Sequence, residues 1–213
     1  MSTPDEHPPS PLEALRDPRA VVDTTVPGVA FVIAYTVTKD VNPSAAIAVG
    51  IGVLIFLERI LRRRPVINAL GGLFGIALAA FIAVRSGRAE GFFVPKMLLQ
   101  ATLCLVFTGS VLIRRPVAGY IIAQIFPPPP GWLELPAVRR VMSEYTLAWA
   151  LVFGLRACVY AVLIAAGRVE ALGVANVAMG LPAFALLLFV GYRYVPRRLE
   201  QLGAPDPRGE PAP

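Results

Sequence analysis

The stretch YTLAWALVFGLRACVYAVLIAA, residues 145–166, decides the fold of this chain. Its 22 residues hold a single charge, Arg156, which lies twelve positions after Glu144 and eleven before Gly167. A helix of about 20 apolar residues crosses the roughly 30 Å hydrocarbon core of a bilayer. The stretch therefore predicts a transmembrane helix that carries an arginine near its middle.

Four more apolar stretches precede this one and a fifth follows it. They run from about Asp23 to Thr38, Pro43 to Leu61, Val66 to Val84, Phe92 to Ile113 and Leu172 to Tyr192. Each is continuously apolar rather than alternating, which favours helices over the strands of a membrane barrel. Of all 213 residues, 56% are apolar and 16% are charged, and the mean hydropathy is +0.64. The sequence thus predicts an all-α polytopic membrane protein with a six-helix transmembrane bundle.

The two ends of the chain differ in composition from this apolar middle. Residues 1–20 hold five prolines and charges of both signs but no apolar h-region, so they are not expected to form a cleavable signal peptide. Residues 203–213 hold four prolines in eleven positions. We predict a disordered cytoplasmic arm at 1–20, one six-pass transmembrane domain at 21–200 and a disordered cytoplasmic tail at 201–213.

The basic residues collect on alternate connections between the predicted helices. Fourteen of the 20 lysines and arginines lie in the two ends, the second connection and the fourth connection. Five lie on the opposite side, and Arg156 lies within a span. By the positive-inside rule the richer side is cytoplasmic, which predicts a protein of the cytoplasmic membrane with both termini in the cytoplasm. The sequence pI of about 9.8 then requires no nucleic-acid partner.

Anionic lipid headgroups on the cytoplasmic side are the expected partners of these basic residues, because arginine clusters beside membrane helices attract anionic lipids. The candidate contacts are Arg62, Arg63, Arg64, Arg114, Arg115, Arg197 and Arg198. Loss of co-purifying lipid after neutralisation of these clusters would support this prediction.

The longest connection, residues 114–144, is not explained by membrane crossing alone. Pro116 to Phe126 is apolar but too short to cross, and four prolines, Pro127 to Pro130, follow it. We expect this segment to lie along the cytoplasmic interface with Tyr120 and Trp132 at headgroup depth, and a re-entrant loop is the alternative. Residues 136–145 are predicted to form an amphipathic turn that leads into the fifth span.

Two connections share the sequence RRPV, at residues 63–66 and 114–117. On the opposite side, Gly87 to Glu90 is similar to Gly167 to Glu170. Duplication of a helical hairpin, giving three hairpins, would explain both similarities. The alternative is convergence, because arginine followed by proline anchors and ends a membrane helix.

Small residues at helical spacing predict close packing between helices. The faces concerned are Gly71 and Gly75 on the third span, Ser44, Ala48 and Gly52 on the second, and Ala157, Ala161 and Ala165 on the fifth. We expect these faces to pack helices within the bundle rather than against a second copy. Pro182 removes a backbone donor inside the sixth span, so that helix is expected to kink near Ala178.

Arg156 is the residue that most needs an explanation, because a central arginine costs about 3 kcal/mol on insertion scales. Candidate partners inside the bundle are Asn68, Gln100, Asn176, Glu58 and Asp23. Two roles remain open: contact with an anion or headgroup inside the bundle, and a structural arginine bonded to helix carbonyls and amides. Lys96, near the outer end of the fourth span, is expected to snorkel to the interface.

Residues needed for common enzyme chemistry are missing from the predicted membrane domain. The single histidine, His7, lies in the N-terminal arm, so no histidine-based metal site or general base is expected among the spans. The phosphate-loop and G-x-S-x-G motifs do not occur. We therefore predict no enzyme activity, no cofactor and no metal site. Cys104 and Cys158 lie within spans, where a thiol packs as a small apolar side chain.

Short motifs along the chain keep the order seen in a known family. They are Asp23 to Pro27, Phe92 and Phe93 with Lys96, Arg114 to Pro116, Leu147 to Trp149, and Tyr192 to Pro196. With these motifs the chain resembles the intracellular septation protein A family of small multi-pass inner-membrane proteins. From Asp23 to Arg198 it resembles more closely an actinobacterial membrane family known only as a domain of unknown function. The first resemblance implies contacts with cell elongation and division machinery, and it brings no catalytic residues.

Three functions are open at this point. The prediction is a non-enzymatic integral membrane protein associated with cell-envelope synthesis or division, with membrane protein partners and no nucleic acid. The first alternative is a small transporter or channel with a midplane site at Arg156, which a polar path to Asn68, Gln100 or Asn176 would favour. The second alternative is an anionic-lipid-binding membrane protein that uses the cytoplasmic arginines.

Overall fold

The described part of the chain is built from helices. The computed structural model describes residues 18–62 and 67–205, with side chains for 25–62 and 70–205. The α-helices in these ranges are α1 (Pro18–Thr38), α2 (Val41–Leu61), α3 (Ile67–Ser86), α4 (Val94–Leu112), α5 (Val117–Ile125), α6 (Pro136–Ala165), α7 (Val169–Ala178) and α8 (Leu181–Gln201). Short 3-10 helices at Ala89–Phe93 and Trp132–Glu134 precede α4 and α6. No strand occurs among the described residues, which confirms the all-α prediction.

Helical segments long and apolar enough to cross a membrane are Val41–Leu61, Ala89–Leu112, Pro136–Ala165 and Val169–Gln201. Their length and composition indicate a membrane protein. The first and third predicted spans are also apolar helices, but their described apolar parts, Thr25–Thr38 and Leu70–Ser86, are shorter. The six-helix transmembrane bundle is therefore not confirmed, and both the six crossings and the three duplicated hairpins stay predictions.

The ends of the chain are described only where they adjoin the helices. The predicted arm at 1–20 lies outside the described residues except for 18–20, which begin α1. Of the predicted tail at 201–213, residues up to Pro205 are described. These residues turn back on α8, because the N–H of Ala204 donates to the carbonyl of Leu199 at 2.9 Å.

The fifth predicted span is part of a longer helix. α6 begins at Pro136, where a missing N–H costs little, and runs for 30 residues to Ala165. The amphipathic turn predicted at 136–145 is its first part rather than a separate element. α6 packs most extensively against α4. The two helices approach closely, because a Cβ on Gly154 would lie 3.1 Å from the Sγ atom of Cys104.

The segment between α4 and α6 folds back onto the bundle. In α5, the N–H of Ala118 donates to Thr146 Oγ1 of α6 at 3.2 Å. Trp132 is only 2% exposed, and its Nε1 donates to the carbonyl of Pro205 at 2.8 Å. The ring is therefore buried in protein and is not exposed at the surface, as contact with lipid headgroups would require. Tyr120 is 48% exposed and can lie at an interface.

The sixth predicted span is interrupted rather than kinked. α7 ends at Ala178, Gly180 has non-helical angles (φ −76°, ψ −108°), and α8 begins at Leu181. Pro182 therefore falls in the first turn of α8, where proline is well tolerated. A Cβ on Gly180 would lie 2.8 Å from the backbone oxygen of Asn176, so the break requires a residue without a side chain.

Two hydrophobic cores lie in the described bundle. The phenylalanine core joins α1, α2, α3, α6 and α7, and its members include Phe31, Ala48, Ala83, Phe92, Phe93, Tyr160 and Leu172. The ring centroids of Phe31 and Phe92 are 4.1 Å apart. The tryptophan core joins α5, α6 and α8, and its members include Trp132, Val141, Met142, Tyr145, Trp149, Leu187 and Leu199.

The small-residue faces do not all pack helices. Ser44, Ala48 and Gly52 are buried on α2, as predicted. On α3, no described atom lies within 4 Å of a Cβ built on Gly71 or Gly75. On α6, Ala161 and Ala165 are exposed. The prediction of packing within the bundle is therefore wrong for α3 and for most of the α6 face, because spacing alone does not say which side of a helix meets a neighbour.

Candidate functional site

Lys96 lies inside the bundle rather than at its interface. Pro95 occupies the first turn of α4, and the buried rings of Phe92 and Phe93 fix the chain just before it. From this position Lys96 Nζ donates a hydrogen bond to Asn176 Oδ1 of α7. The expectation that Lys96 snorkels outward is therefore wrong: the ammonium group turns toward an amide acceptor on the neighbouring helix.

Asn176 joins three helices through one amide. It lies seven residues into α7, about 10 Å along the helix axis, and is 7% exposed. Its Oδ1 also accepts a hydrogen bond from Tyr160 Oη of α6 at 3.3 Å. A Cβ on Gly28 would lie 3.5 Å from Asn176 Nδ2, so α1 passes directly over the amide. Asn176 thus links α4, α6 and α7 beneath α1.

Arg156 lies one turn before Tyr160 on the same face of α6. It is 8% exposed, nine residues before the helix ends, which places it about 14 Å from that end. Its Nε is buried without a hydrogen-bond partner among the described residues. Tyr160 and Lys96 both donate hydrogen bonds to the same oxygen of Asn176. The cluster therefore carries two cations.

Gln100 adds a second unsatisfied group. It lies one turn after Lys96 on α4 and is 5% exposed. Its Oε1 has no hydrogen-bond partner in the described part of the chain. Buried polar groups in folded proteins nearly always have a partner, and leaving one unpaired costs about 1–3 kcal/mol. Two such groups on adjacent helices mark this region as unusual.

The acidic residues in the described ion pairs are engaged away from Arg156 and Lys96. Glu58 lies 2.8 Å from Arg62, so this predicted partner of Arg156 is engaged on its own helix. The other described ion pairs are Glu170 with Lys39, Glu90 with Arg88, and Glu144 with Arg140 and Arg198. The side chains of Asp23 and Asn68, two further predicted partners, lie outside the described residues. Among the described side chains, the cluster therefore has positive charge and no carboxylate.

A cavity of about 420 Å³ opens beside this cluster. Lys96 and Asn176 form part of its wall, together with Arg59 of α2 and the glycines Gly72 and Gly75 of α3. Cavities of roughly 300–1,000 Å³ hold small-molecule ligands in proteins. The Lys96–Asn176 pair therefore faces a space that can hold a ligand.

Chemically, the arrangement offers donors and positive charge. Lys96 brings an ammonium group, Arg156 a guanidinium with an unused buried N–H, and Asn176 an amide whose oxygen is already occupied by two donors. A central charge costs about 3 kcal/mol in a bilayer unless it is paired. An anion placed beside Lys96 would offset this cost for both cations.

None of the predicted lipid contacts with described side chains lines the cavity. Arg62 follows the end of α2, Arg114 and Arg115 follow α4 and are exposed, and Arg197 and Arg198 lie in the last turns of α8. Cations at helix C-termini are favoured by the helix dipole. Arg63 and Arg64 lie outside the described residues. The described members are thus separate groups at helix ends rather than one pocket.

The sequence signal that identifies Lys96 and Tyr160 is the spacing of polar residues along single helices. Lys96 and Gln100 are four residues apart on α4, and Arg156 and Tyr160 are four apart on α6. Positions four apart share a helix face. Two polar pairs on otherwise apolar spans therefore predict a shared polar interior. The assignment of Lys96 to the interface rested on its depth and did not use this spacing.

Comparison with known proteins gives a family but no activity. The model of one protein family, described as Protein of unknown function (DUF3159), matches residues 17–201. No curated protein and no solved structure matches the chain. The match covers every helix of the candidate site.

Proposed function

We propose, for a chain that belongs to this family of unknown function, that the membrane bundle binds an anionic ligand in the cavity beside Lys96. The observation that carries the proposal is a pair of cations on facing helices, the partly buried Lys96 and the buried Arg156, which have no carboxylate partner among the described side chains. Lys96 is the direct contact, since it lines the cavity. Arg156 supports it from α6 by adding positive potential. The role is one of binding, without catalysis.

The contrast with the other end of α6 supports this proposal. There the carboxylate of Glu144 accepts a hydrogen bond from Tyr194 Oη at 2.7 Å and lies 3.6 Å from Arg198 Nε. At this end of α6, where no ligand is proposed, the chain itself provides a carboxylate for its arginines. Near Lys96 the described side chains supply only neutral acceptors, so an anion bound in the cavity would provide the negative charge that they do not.

The test measures how an anion shifts the thermal stability of the full-length protein in detergent. The probe is a phosphatidic acid, with a phosphatidylcholine of the same chains as the neutral reference. A ligand at about a hundredfold excess over its Kd stabilises a folded protein by about 2.7 kcal/mol. We expect phosphatidic acid to raise the Tm of the wild type and to lose most of this effect in Lys96→Met.

Lys39→Met is the matched control. Lys39 is 63% exposed and pairs with Glu170 on the surface, away from the cavity lining. This variant should respond to phosphatidic acid like the wild type. An equal response from Lys96→Met and the wild type would overturn the proposal, because the stabilising anion would then bind elsewhere.

The interrupted helix favours a second candidate function, movement of the anion through the bundle. Asn176 lies in the last turn of α7, directly before the break at Gly180. Transporters place substrate sites at such broken helices, where one half can move relative to the other. Vesicles with a fluorescent phosphatidic acid and an impermeant quencher would test it: transfer between leaflets supports transport, and binding without transfer refutes it.

The arginine distribution supports the cytoplasmic membrane as the location, with both termini in the cytoplasm. A fluorescent protein fused to the C-terminus reports this directly, since it matures in the cytoplasm and stays dark when exported unfolded. A dark fusion that is present in the membrane would refute the orientation. The same orientation would let the cytoplasmic arginines contact anionic headgroups, as a secondary membrane surface distinct from the cavity.

The resemblance to the septation protein A family supports a non-enzymatic role in cell-envelope synthesis or division. An actinobacterial origin is part of the same proposal. Binding of an anionic ligand in the bundle is compatible with such a role, because envelope precursors and membrane lipids carry phosphate. A deletion strain with normal envelope and division would refute this role and leave the binding proposal intact.

A further inference from the structure

The cavity beside Lys96 is apolar over most of its wall. Its polar lining residues are Lys96, Asn176 and Arg59, and the other lining residues are apolar side chains or glycines. A small hydrated anion gains nothing from such a wall, whereas a hydrocarbon chain gains from leaving water. The shape of the charge distribution therefore fits a ligand with an anionic head and an apolar body.

Two glycines of α3 keep part of this cavity open. Gly72 and Gly75 line it, and no described atom lies within 4 Å of a Cβ built on either. Glycine weakens a helix relative to alanine, and alanine would fit at both positions. The described protein atoms therefore leave this face of α3 uncovered, and an apolar chain has room to lie along it.

The cavity opens sideways toward the position of membrane lipids. Leu99 of α4 lines it and is itself 56% exposed. α3 meets the chain before α4 mainly at the 3-10 helix Ala89–Phe93, and contacts α4 itself much less. The two helices therefore separate beyond that turn. A ligand can enter from the side, between α3 and α4, without passing through water.

The geometry points to a membrane phospholipid as the anionic ligand, with its phosphate at Lys96 and Asn176 and one acyl chain along Gly72 and Gly75. This inference rests on the proposed anion binding and adds the class of the ligand. Charge complementarity selects the head, and the open glycine face selects the chain.

The test fills the chain groove and leaves the charges in place. Gly75→Leu and Gly72→Leu put a branched side chain into the cavity, and the probes are phosphatidic acid and inorganic phosphate, each titrated in a thermal-stability assay of the full chain. We expect either substitution to weaken the binding of phosphatidic acid by about tenfold or more and to leave the response to inorganic phosphate unchanged. Native mass spectrometry should show the same loss for co-purified phospholipid.

Gly71→Leu is the matched control for both variants. Gly71 lies on the same helix, has no described atom within 4 Å of a built Cβ, and does not line the cavity. It should bind phosphatidic acid like the wild type. Each variant's own melting transition shows whether it is folded, and Gly72→Leu carries the test if Gly75→Leu does not fold.

The outcomes separate this inference from the proposal on which it rests. If inorganic phosphate protects the wild type as well as phosphatidic acid does, and Gly75→Leu leaves both responses unchanged, the ligand is a small anion. The lipid inference is then overturned while anion binding stands. If neither anion protects the wild type more than phosphatidylcholine does, anion binding fails and the lipid inference fails with it.

Discussion

The two cores of this bundle differ in how their polar groups are satisfied. In the tryptophan core, Tyr145 Oη donates to a carbonyl of α8 at 3.1 Å and Trp132 Nε1 donates to the carbonyl of Pro205 at 2.8 Å. Beside the phenylalanine core, Gln100 Oε1 and Arg156 Nε are buried without a partner among the described residues. The buried polar groups near the start of α6 thus have hydrogen-bond partners within the protein, whereas two of those near its other end have none among the described residues.

This difference separates buried polar groups that stabilise the fold from buried polar groups that a ligand would complete. The tryptophan core shows that the sequence can place a partner beside a buried donor when stability alone is at stake. The cluster around Lys96 gives up that stability, since unpaired buried groups are costly. Such a loss is expected where a ligand completes the site. Variants that act on the two regions should therefore behave in opposite ways.

The largest expected effect is the loss of stability in Trp132→Ala, which removes a fully packed ring from the tryptophan core. Truncation of a buried tryptophan typically costs about 3–5 kcal/mol. Chemical or thermal unfolding in detergent measures the loss. Trp132→Phe keeps most of the apolar contact and removes the hydrogen bond to Pro205, so it should lower the free energy of unfolding by only about 1 kcal/mol relative to the wild type. Equal, small losses in both variants would show that this core is loose.

Overpacking the same core should have the next largest effect. A Cβ on Gly191 of α8 would lie 2.2 Å from Tyr145 Oη, and the Tyr145 ring is held by its bond to α8 and by Trp149. Gly191→Ala should therefore lower the free energy of unfolding by about 1–3 kcal/mol.

Gly109→Ala is the control for this substitution. Gly109 lies within α4, and no described atom is within 4 Å of a built Cβ. Alanine there should raise stability by about 0.5–1 kcal/mol through its helix preference. A gain at Gly191 as well would contradict the close contact between α6 and α8.

Arg156→Met sharpens the comparison because, unlike the substitutions in the tryptophan core, it should not lower the stability of the protein. Arg156 has an unsatisfied Nε and no carboxylate partner among the described side chains, and replacing buried charged groups with apolar side chains of similar size is often neutral or stabilising. We expect unchanged or higher stability without an anion, and a smaller Tm rise on addition of phosphatidic acid. Tyr145→Phe in the tryptophan core should instead cost about 1 kcal/mol, because its hydrogen bond to α8 is satisfied. A collapse of Arg156→Met would make this arginine a structural residue.

The smallest expected effect belongs to Tyr160→Phe. Tyr160 Oη donates to Asn176 Oδ1 at 3.3 Å, a long bond to an atom that also accepts from Lys96. Removal of the hydroxyl leaves the Lys96–Asn176 bond and the packing of the ring, so stability should change by less than about 1 kcal/mol. A large loss of anion binding in this variant would move the site from Lys96 toward α6.

Helices could be predicted from this sequence, and their ends less well. Continuous apolar runs define helices because lipid leaves the backbone no other partner. The start of α6 at Pro136 was missed because residues 136–145 are polar enough to look like a connection, yet they pack against α5 and α8. The break at Gly180 depends on the close approach of the Asn176 carbonyl, a contact that hydropathy does not encode.

The candidate site was only partly visible in the sequence. Burial of Arg156, Gln100 and Asn176 follows from their depth in apolar spans, since polar side chains avoid lipid. The inward direction of Lys96 does not follow from depth, because a lysine near a helix end can reach either the interface or the interior. The position of Asn176 on the facing helix decides it.

The central claim is that Lys96 and Arg156, which have no carboxylate partner among the described side chains, are completed by an anion from outside the chain. A high-resolution electron cryomicroscopy structure of the full-length protein, extracted into nanodiscs with its native lipids, tests it most directly. The account predicts density for a phosphate within hydrogen-bond distance of Lys96 Nζ, continuous with an apolar chain over Gly72 and Gly75. A carboxylate of the protein itself bound to Lys96 and Arg156, with side chains filling the cavity, would contradict the account.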